Sequence, residues 1–285
     1  MERESYAAGK NRYQVYESGR IKIIDDGNVI ESVLMRYKHG NSVCISSQVG
    51  CRMGCRFCAS TLDGLVRGLT PSEMLDQIYR ITRDTGERVS NVVVMGTGEP
   101  MDNFDNLLKF IELLTDENGL NISQRNVTVS TCGIVPKMRK LADKKLQITL
   151  ALSLHASSQE KRLELMPVAN KYEIHEVIEA CRYYFEQTGR RVTFEYSLVG
   201  GVNDTEEDVK RLVELIHGMN CHVNLIPVNP IKERSYVQPD HEAILKFKNR
   251  LEKNAIQVTI RREMGRDIDG ACGQLRKRYI SHAER

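Results

Sequence analysis

No stretch of this 285-residue sequence contains eighteen or more consecutive apolar residues, so no segment has the composition of a membrane-spanning helix. The first ten residues, MERESYAAGK, lack the apolar stretch of a secretory signal, and a cytoplasmic protein with no membrane partner is therefore expected. Tryptophan is absent, as are linkers rich in proline, glycine or serine, long-period repeats and low-complexity tracts. The length is sufficient for a globular chain with a sizeable core.

The sequence also lacks a strong excess of positive or negative charge: it contains 41 Lys and Arg residues and 38 Asp and Glu residues, for a net charge of +3. This balance neither requires nor excludes nucleic acid, so local clusters of charge have to decide. The segment PKMRKLADKK at residues 136–145 places five basic residues on a predicted helix, and further basic residues surround Cys272. Basic residues of this kind usually lie on a solvated surface. The alternative is that they surround the reactive loop and contact RNA phosphates.

Repeated strand-then-helix patterns dominate the chain after residue 42 and predict about six strand–helix units. Their strands are apolar runs of the kind that parallel sheets bury on both faces. The predicted fold class is therefore α/β, a full or partial parallel (β/α)6 barrel at residues 42–285, preceded by a β-hairpin extension at residues 1–41. Small polar residues follow the strands, in GTGEP, STCG, SLHAS and PVNP, at the strand ends where such barrels gather their chemistry.

Three of the eight cysteines lie close together, at Cys51, Cys55 and Cys58, in the spacing C-x3-C-x2-C. Structural zinc usually takes two CxxC-type pairs, and no second pair exists here; a cysteine-containing loop without a metal is the other plain interpretation. Three thiolates on an iron–sulfur cluster would leave one iron open, and an open position is how metal sites bind a substrate or cosubstrate. Cysteine-rich chains without a secretory signal favour a reducing compartment and cofactor or catalytic thiols.

This triplet, with Phe57 before its last cysteine, resembles the signature of radical S-adenosylmethionine (SAM) enzymes. The resemblance implies that Cys51, Cys55 and Cys58 hold a [4Fe-4S] cluster whose fourth iron chelates S-adenosyl-L-methionine. It also implies reductive cleavage of that cosubstrate to a 5′-deoxyadenosyl radical, with electrons from a donor such as flavodoxin or ferredoxin.

Six segments, the first of which contains this triplet, resemble the RlmN/Cfr family of RNA adenosine methyltransferases. They occur in the order found in that family, and the resemblance covers residues 25 to 276. They are VCISSQVGCRMGCRFCAS, MGTGEPMDN, VTVSTCGIVP, LSLHAS, VNLIPVNP and GRDIDGACGQL. Pro100 in GEP looks like the C2-methylating type, since the C8-methylating branch tends to have Ala there. Members usually carry a small helical domain ahead of the hairpins; only 50 residues precede Cys51, so that domain is expected to be absent or truncated.

The resemblance assigns roles to three further residues. Cys272 would become S-methylcysteine and carry the methyl group to adenine, because an aromatic C–H at C2 is a poor nucleophile. Glu31 would accept the proton, and Cys44 would attack the Cys272 sulfur, forming a transient disulfide that releases methylated RNA. Each methylation would use two SAM molecules. From the residues alone, Cys44 is more readily a core cysteine, and Cys132, Cys181 and Cys221 are expected to pack.

The resemblance also predicts the SAM-binding positions, which lie in the loops after the strands. They are Gly98, Glu99, Ser130, Ser153, Leu154, His155 and Asn229. The implied partners are 23S rRNA, near the peptidyl-transferase region, and tRNA, next to the anticodon, acted on by a monomer.

Three other functions remain open at this stage. A C8-adenosine 23S rRNA methyltransferase that confers antibiotic resistance would share these motifs. An iron–sulfur electron-transfer protein would leave the open iron and the adenosine-binding loops unexplained. A non-catalytic RNA-binding module would leave the cysteines without a use.

Overall fold

The computed structural model describes residues 3–8, 11–15, 19–24, 26–38, 40–229 and 235–261. Within these ranges the chain divides into two compact units. The first contains the described residues up to 52 and residues 58–129, and the second contains residues 53–57 and 130–261. The described part of the chain contains no helix that is both long and apolar enough to cross a bilayer.

The first unit begins with antiparallel strands, in agreement with the predicted hairpin extension. These strands are β1 (Arg3–Ala8), β2 (Asn11–Val15), β3 (Gly19–Ile23) and β4 (Val29–Tyr37), each paired with the next. A turn closed by Gly27 N donating to Ile24 O (2.8 Å) joins β3 to β4, and φ of +83° at Gly27 suits glycine. Strand β4 then pairs antiparallel with β5 (Gly40–Cys44), which begins the parallel part.

The parallel part of the first unit follows the predicted strand–helix alternation. Strand β5 pairs with β8 (Val89–Val94), and β8 pairs with β9 (Val127–Thr131). Helices α1 (Pro71–Thr85) and α2 (Phe104–Thr115) connect them. The predicted start of α1 is confirmed, because Thr70 Oγ1 accepts from Glu73 N (3.3 Å) and the Glu73 carboxylate accepts from Thr70 N (2.9 Å). Two short strands that the pattern did not predict, β6 (Gln48–Gly50) and β7 (Leu65–Gly68), pair with each other.

The second unit continues the same alternation. Its parallel strands are β10 (Thr149–Ser153), β11 (Val192–Leu198), β12 (Cys221–Pro227) and β13 (Gln257–Ile260), each paired with the next. Its helices are α3 (Val135–Asp143), α4 (Gln159–Leu165), α5 (Ile174–Thr188), α6 (Glu206–Leu215) and α7 (His241–Lys253). The predicted α/β class with six strand–helix units is confirmed. The boundary predicted between residues 41 and 42 stays a prediction.

The burial of residues in β10 and β11 explains why their sequences are rich in apolar residues. The three central residues of β10, Leu150, Ala151 and Leu152, are fully inaccessible, and six of the seven residues of β11 are buried. In a parallel sheet, the helices that connect successive strands pack on the faces of the sheet and bury the strand residues there.

Candidate active site

The cysteine loop follows β6 directly in the first unit. Cys51 is buried, and its N–H donates to Gly64 O (2.8 Å). Gly50, just before it, has φ of +76°, and a Cβ there would lie 2.0 Å from the same carbonyl oxygen. No other residue fits at position 50 without moving the backbone, so the entry of the chain into the cysteine loop is fixed. Cys58 is half-buried and precedes a short 3-10 helix at Ala59–Thr61.

The residues of this loop offer only sulfur as a metal ligand. Between Cys51 and Cys58 the chain contains no His, Asp or Glu, and Cys55, in the second unit, is buried. Thiolate ligands suit iron–sulfur clusters and zinc and do not suit hard cations such as magnesium. Among the described residues, no three His, Cys, Asp or Glu side chains are grouped as a metal site. The three cysteines as cluster ligands therefore remain a prediction, supported by the chemistry of the donors.

The loop after β8, GTGEP, packs directly against the residues that lead into the cysteine loop. Ser47 N and Gln48 N both donate to Thr97 O, at 2.9 and 3.1 Å. A Cβ at Gly96 would lie 2.7 Å from Ile45 O, and one at Gly98, where φ is +113°, would lie 2.6 Å from Gln48 Cβ. Both glycines are required by this close approach.

Glu99 is buried at the start of a 3-10 helix at Pro100–Asn103. Its N–H donates to Gln48 Oε1 (2.8 Å), and its own Oε1 accepts from Met101 N (3.0 Å). The Gln48 amide also donates to Asp102 Oδ2 (3.1 Å), and Arg52 forms an ion pair with Asp102. Glu99 therefore caps a helix through one carboxylate oxygen, and its predicted contact with the SAM amino group stays a prediction.

Cys44 and Glu31 lie on neighbouring strands of the first unit, and both side chains are buried. Cys44 is the last residue of β5 and pairs with Val33 on β4. The backbone carbonyl of Glu31 accepts from Ser46 Oγ (2.7 Å), and Ser46 Oγ accepts from Thr97 N (3.1 Å). This hydrogen-bonded chain ties Glu31 to the GTGEP loop. Cys272 lies outside the described residues, so its pairing with Cys44 stays a prediction.

The predicted adenosyl-binding residues lie at strand ends of the second unit. Ser130, on β9, and Ser153, on β10, are half-buried, and their hydroxyls lie 3.3 Å apart. Leu154 is buried, and its N–H donates to Glu195 O (3.0 Å). Asn229 is half-buried two residues after β12. Of these predicted positions, the structure brings Ser130 and Ser153 into direct contact.

His155 is held in one orientation and one tautomer. Its backbone has φ of +55°, an uncommon value for a residue other than glycine. Its Nδ1 accepts from Ser197 N (2.9 Å), so the neutral ring carries its proton on Nε2. The Phe57 ring meets it edge-on with centroids 4.7 Å apart. Burial, aided by the charge of Arg162, lowers the pKa of His155 to about 3. His155 is therefore a hydrogen-bond donor through Nε2 and is uncharged at neutral pH.

The depressed pKa of His155 predicts a specific loss of stability in acid. The folded protein binds fewer protons than the unfolded chain between pH about 3 and about 6.5, so its free energy of unfolding falls as pH decreases through that window. The expected slope from this group is up to about 1.4 kcal/mol per pH unit. Urea unfolding of His155→Gln at pH 7 and pH 5 is expected to show a smaller difference than the wild type. The exposed His217→Gln variant is the control, and equal pH dependence in all three proteins would contradict the assignment.

Sequence patterns did not reveal the residues that hold these loops. Both Gln48 and Asn203 are buried amides; Gln48 lies in the segment VCISSQVGCRMGCRFCAS without an assigned role, and Asn203 lies outside the quoted segments. Asn203 donates to His155 O (2.8 Å) and Ser197 O (2.7 Å), and its Oδ1 accepts from Val199 N (2.8 Å). For Asn203 the available signal was a polar residue in the loop between β11 and α6, although such residues are common in loops.

Comparisons with known proteins extend over both described units. The profile of the Radical SAM superfamily matches residues 45–216, a range that includes the cysteine loop, the GTGEP loop and His155. The probable dual-specificity RNA methyltransferase RlmN of Lachnospira eligens is 74% identical over 257 residues, covering 90% of this chain and 73% of that protein. The protein of the same name from Lachnoclostridium phytofermentans is 65% identical, covering 94% and 76%. The crystal structure of a radical SAM methyltransferase from Sphaerobacter thermophilus matches with a TM-score of 0.87 and 40% identity, over 96% of this chain and 80% of that chain.

Proposed function

Because this chain belongs to the radical SAM superfamily and, within it, to the RlmN family of RNA methyltransferases, we propose that it methylates C2 of adenosine in 23S rRNA and in tRNA. Action on two kinds of RNA is supported by the names of its relatives, which describe them as dual-specificity RNA methyltransferases. C2 rather than C8 is supported by Pro100 in the GEP segment, which is buried at the start of the 3-10 helix.

The packing of the GTGEP loop on the entry to the cysteine loop is the observation that carries this proposal. Thr97 O accepts from two consecutive backbone N–H groups, and Gly98 leaves no space for a side chain. In the proposed enzyme, Cys51, Cys55 and Cys58 hold a [4Fe-4S] cluster and the loop at residues 98–99 receives the methionyl part of SAM. When bound, the cluster and SAM supply a radical that can remove hydrogen from a methyl group.

Three residues of the chain carry the methyl group and release the product. Cys272 receives a methyl group from a first SAM molecule and delivers that carbon to C2 after a second SAM molecule is consumed. Glu31 accepts the proton that leaves C2, and its side chain is buried. The radical adduct gives up one electron, which returns to the oxidised donor. Cys44 then attacks the Cys272 sulfur, so that the sulfur–carbon bond breaks, the carbon takes up a proton to become the methyl group of the RNA, and a disulfide remains.

The basic helix α3 supports binding of RNA. Arg139, Lys140, Lys144 and Lys145 are exposed at the helix or directly after it. The Arg139 guanidinium lies 5.2 Å from the centre of the Tyr183 ring, which restricts its orientation. We assign this face to phosphate contacts, in a monomer that acts in the cytoplasm. A donor such as flavodoxin or ferredoxin supplies the electron for SAM cleavage, and exchange with the thiols of a reducing compartment returns the disulfide to two thiols.

The position of the new methyl group tests this function. RNA from cells that express the protein is digested to nucleosides and analysed by mass spectrometry, with the Cys51→Ala variant at equal expression as the control. The expected product is 2-methyladenosine in 23S rRNA and tRNA, with one S-adenosylhomocysteine and one 5′-deoxyadenosine formed per methyl group in vitro. If 8-methyladenosine were the main product, the enzyme would belong to the resistance branch.

A further inference from the structure

Arg162 is a charged side chain that is completely buried in the second unit. It lies on the short helix α4, and its exposed fraction is 0%. Its Nη2 donates to Cys132 O (2.7 Å) and its Nη1 to Tyr172 O (3.3 Å). Its Nε has no hydrogen-bond partner among the described residues. A buried guanidinium with an unsatisfied N–H is costly to the fold unless an anion compensates it.

Carboxylates do not supply that anion within the described part of the chain. No Asp or Glu there forms an ion pair with Arg162, and its two hydrogen-bond acceptors are neutral backbone carbonyls. The segment around Cys55 packs on helix α4, because Arg56 N donates to Leu165 O (2.9 Å), three residues after Arg162. The thiols close enough for their negative charge to act on Arg162 are those of Cys132, Cys55 and Cys181. Cys181 is fully buried, and burial raises the pKa of its thiol, so it stays protonated. Cys132 is a buried cysteine with no assigned ligand role.

Cys55 differs from the other two thiols because it is a proposed cluster ligand, and a metal ligand is a thiolate. We propose that Arg162 is the internal counter-charge of the iron–sulfur cluster, a fixed cation beside Cys55 that favours the reduced cluster. This inference rests on the proposed function. Reduction adds one negative charge to the cluster, and a nearby positive charge that water cannot screen stabilises the added electron.

The geometry also explains why the charge stays in place. Bonds to the carbonyls of Cys132 and Tyr172 hold the guanidinium from two sides. The Cβ of any residue replacing Gly133 would lie 3.0 Å from Arg162 Nη2, so the segment after β9 also packs closely on it. If Arg162 served only to join these segments, its replacement would alter stability and leave the properties of the cluster unchanged.

Potentiometric titration of the reconstituted protein, monitored by electron paramagnetic resonance, separates these two roles. Three variants are compared with the wild type. Arg162→Gln keeps a hydrogen-bond donor without the charge, Arg162→Met removes both, and Arg162→Lys keeps the charge. Arg211→Met, which removes an exposed cation paired with Glu207 at 3.0 Å, is the matched control. Iron content and circular dichroism are measured for each protein.

We expect the equilibrium constant for reduction to fall at least tenfold in the Gln and Met variants, a shift of about 59 mV to lower potential for a one-electron couple. The Lys variant is expected to retain most of the wild-type potential, and the Arg211→Met control all of it. Loss of iron from the Gln variant but not from the Lys variant would support the same role.

Unchanged potentials in the Gln and Met variants would overturn the inference. Equal loss of iron or of folded structure in the Lys and Gln variants would also overturn it, because it would assign Arg162 to packing alone. Failure of the wild-type protein to bind an iron–sulfur cluster would instead reject the proposed function, so the two failures are distinguishable.

Discussion

RNA is expected to remain covalently attached to the Cys44→Ala variant after purification under denaturing conditions. In the proposed mechanism, addition of the methylene carbon to C2 leaves the base joined to Cys272 through a thioether. Only a second thiolate that attacks the Cys272 sulfur can release it by forming a disulfide. Cys44 is buried at the end of β5, on the strand next to Glu31, which places the two proposed release residues together in the first unit. Without its thiol, methylation of Cys272 and addition to RNA proceed, and release stops.

Denaturing gel mobility with and without ribonuclease measures this adduct. The Cys44→Ala protein is expected to run slowly until ribonuclease is added, with turnover below one product per enzyme. Cys272→Ala, which has no methyl carrier, is expected to give neither adduct nor product, and the double variant is expected to behave like Cys272→Ala. Cys221→Ala, at a half-buried cysteine on β12, is the control and is expected to release RNA normally. Normal turnover by Cys44→Ala, or an adduct in Cys272→Ala, would reject these roles.

Replacement of Cys51, Cys55 or Cys58 by Ala is expected to abolish the iron chromophore and all methylation. Three thiolates are the smallest set that holds a [4Fe-4S] cluster with one open iron, and the loop contains no His, Asp or Glu that could replace a lost ligand. Activity is therefore expected to fall below detection in each variant, while the fold is expected to be retained because the three cysteines lie in a loop, outside the helices and strands. Iron and sulfide content and the visible absorption spectrum measure the loss.

Cys132→Ala provides the matched control for the cluster ligands. Cys132 is also buried, and its thiol also interacts electrostatically with Arg162, yet it is not assigned as a ligand. This variant is expected to retain the cluster, with at most a modest loss of stability of about 1–2 kcal/mol from a small cavity. A fully loaded cluster in any of the three loop variants, or its loss in Cys132→Ala, would show that the ligand set is wrong.

The order of the secondary-structure elements could be predicted from the sequence because the signals are local. Thr70, Pro71 and Glu73 form a capping box within four residues, and the structure begins α1 at Pro71. Strands β10 and β11 could be recognised as buried strands because consecutive residues, which point to opposite faces of the sheet, are buried in both. The short pair β6 and β7 could not, since three or four residues show no periodicity and their pairing depends on how the loop folds back.

The sequence by itself determined the chemistry that this protein can perform, because the spacing of Cys51, Cys55 and Cys58 and the segments shared with the family are properties of the chain. Only the tertiary structure decided which groups are charged and which way they face. His155 is neutral because Ser197 occupies Nδ1 and the core excludes water. Arg162 is an ordinary helix residue in the sequence, and it becomes a buried cation bonded to the carbonyls of Cys132 and Tyr172 only when these segments pack around it. Burial depends on contacts between distant residues, and no local pattern records them.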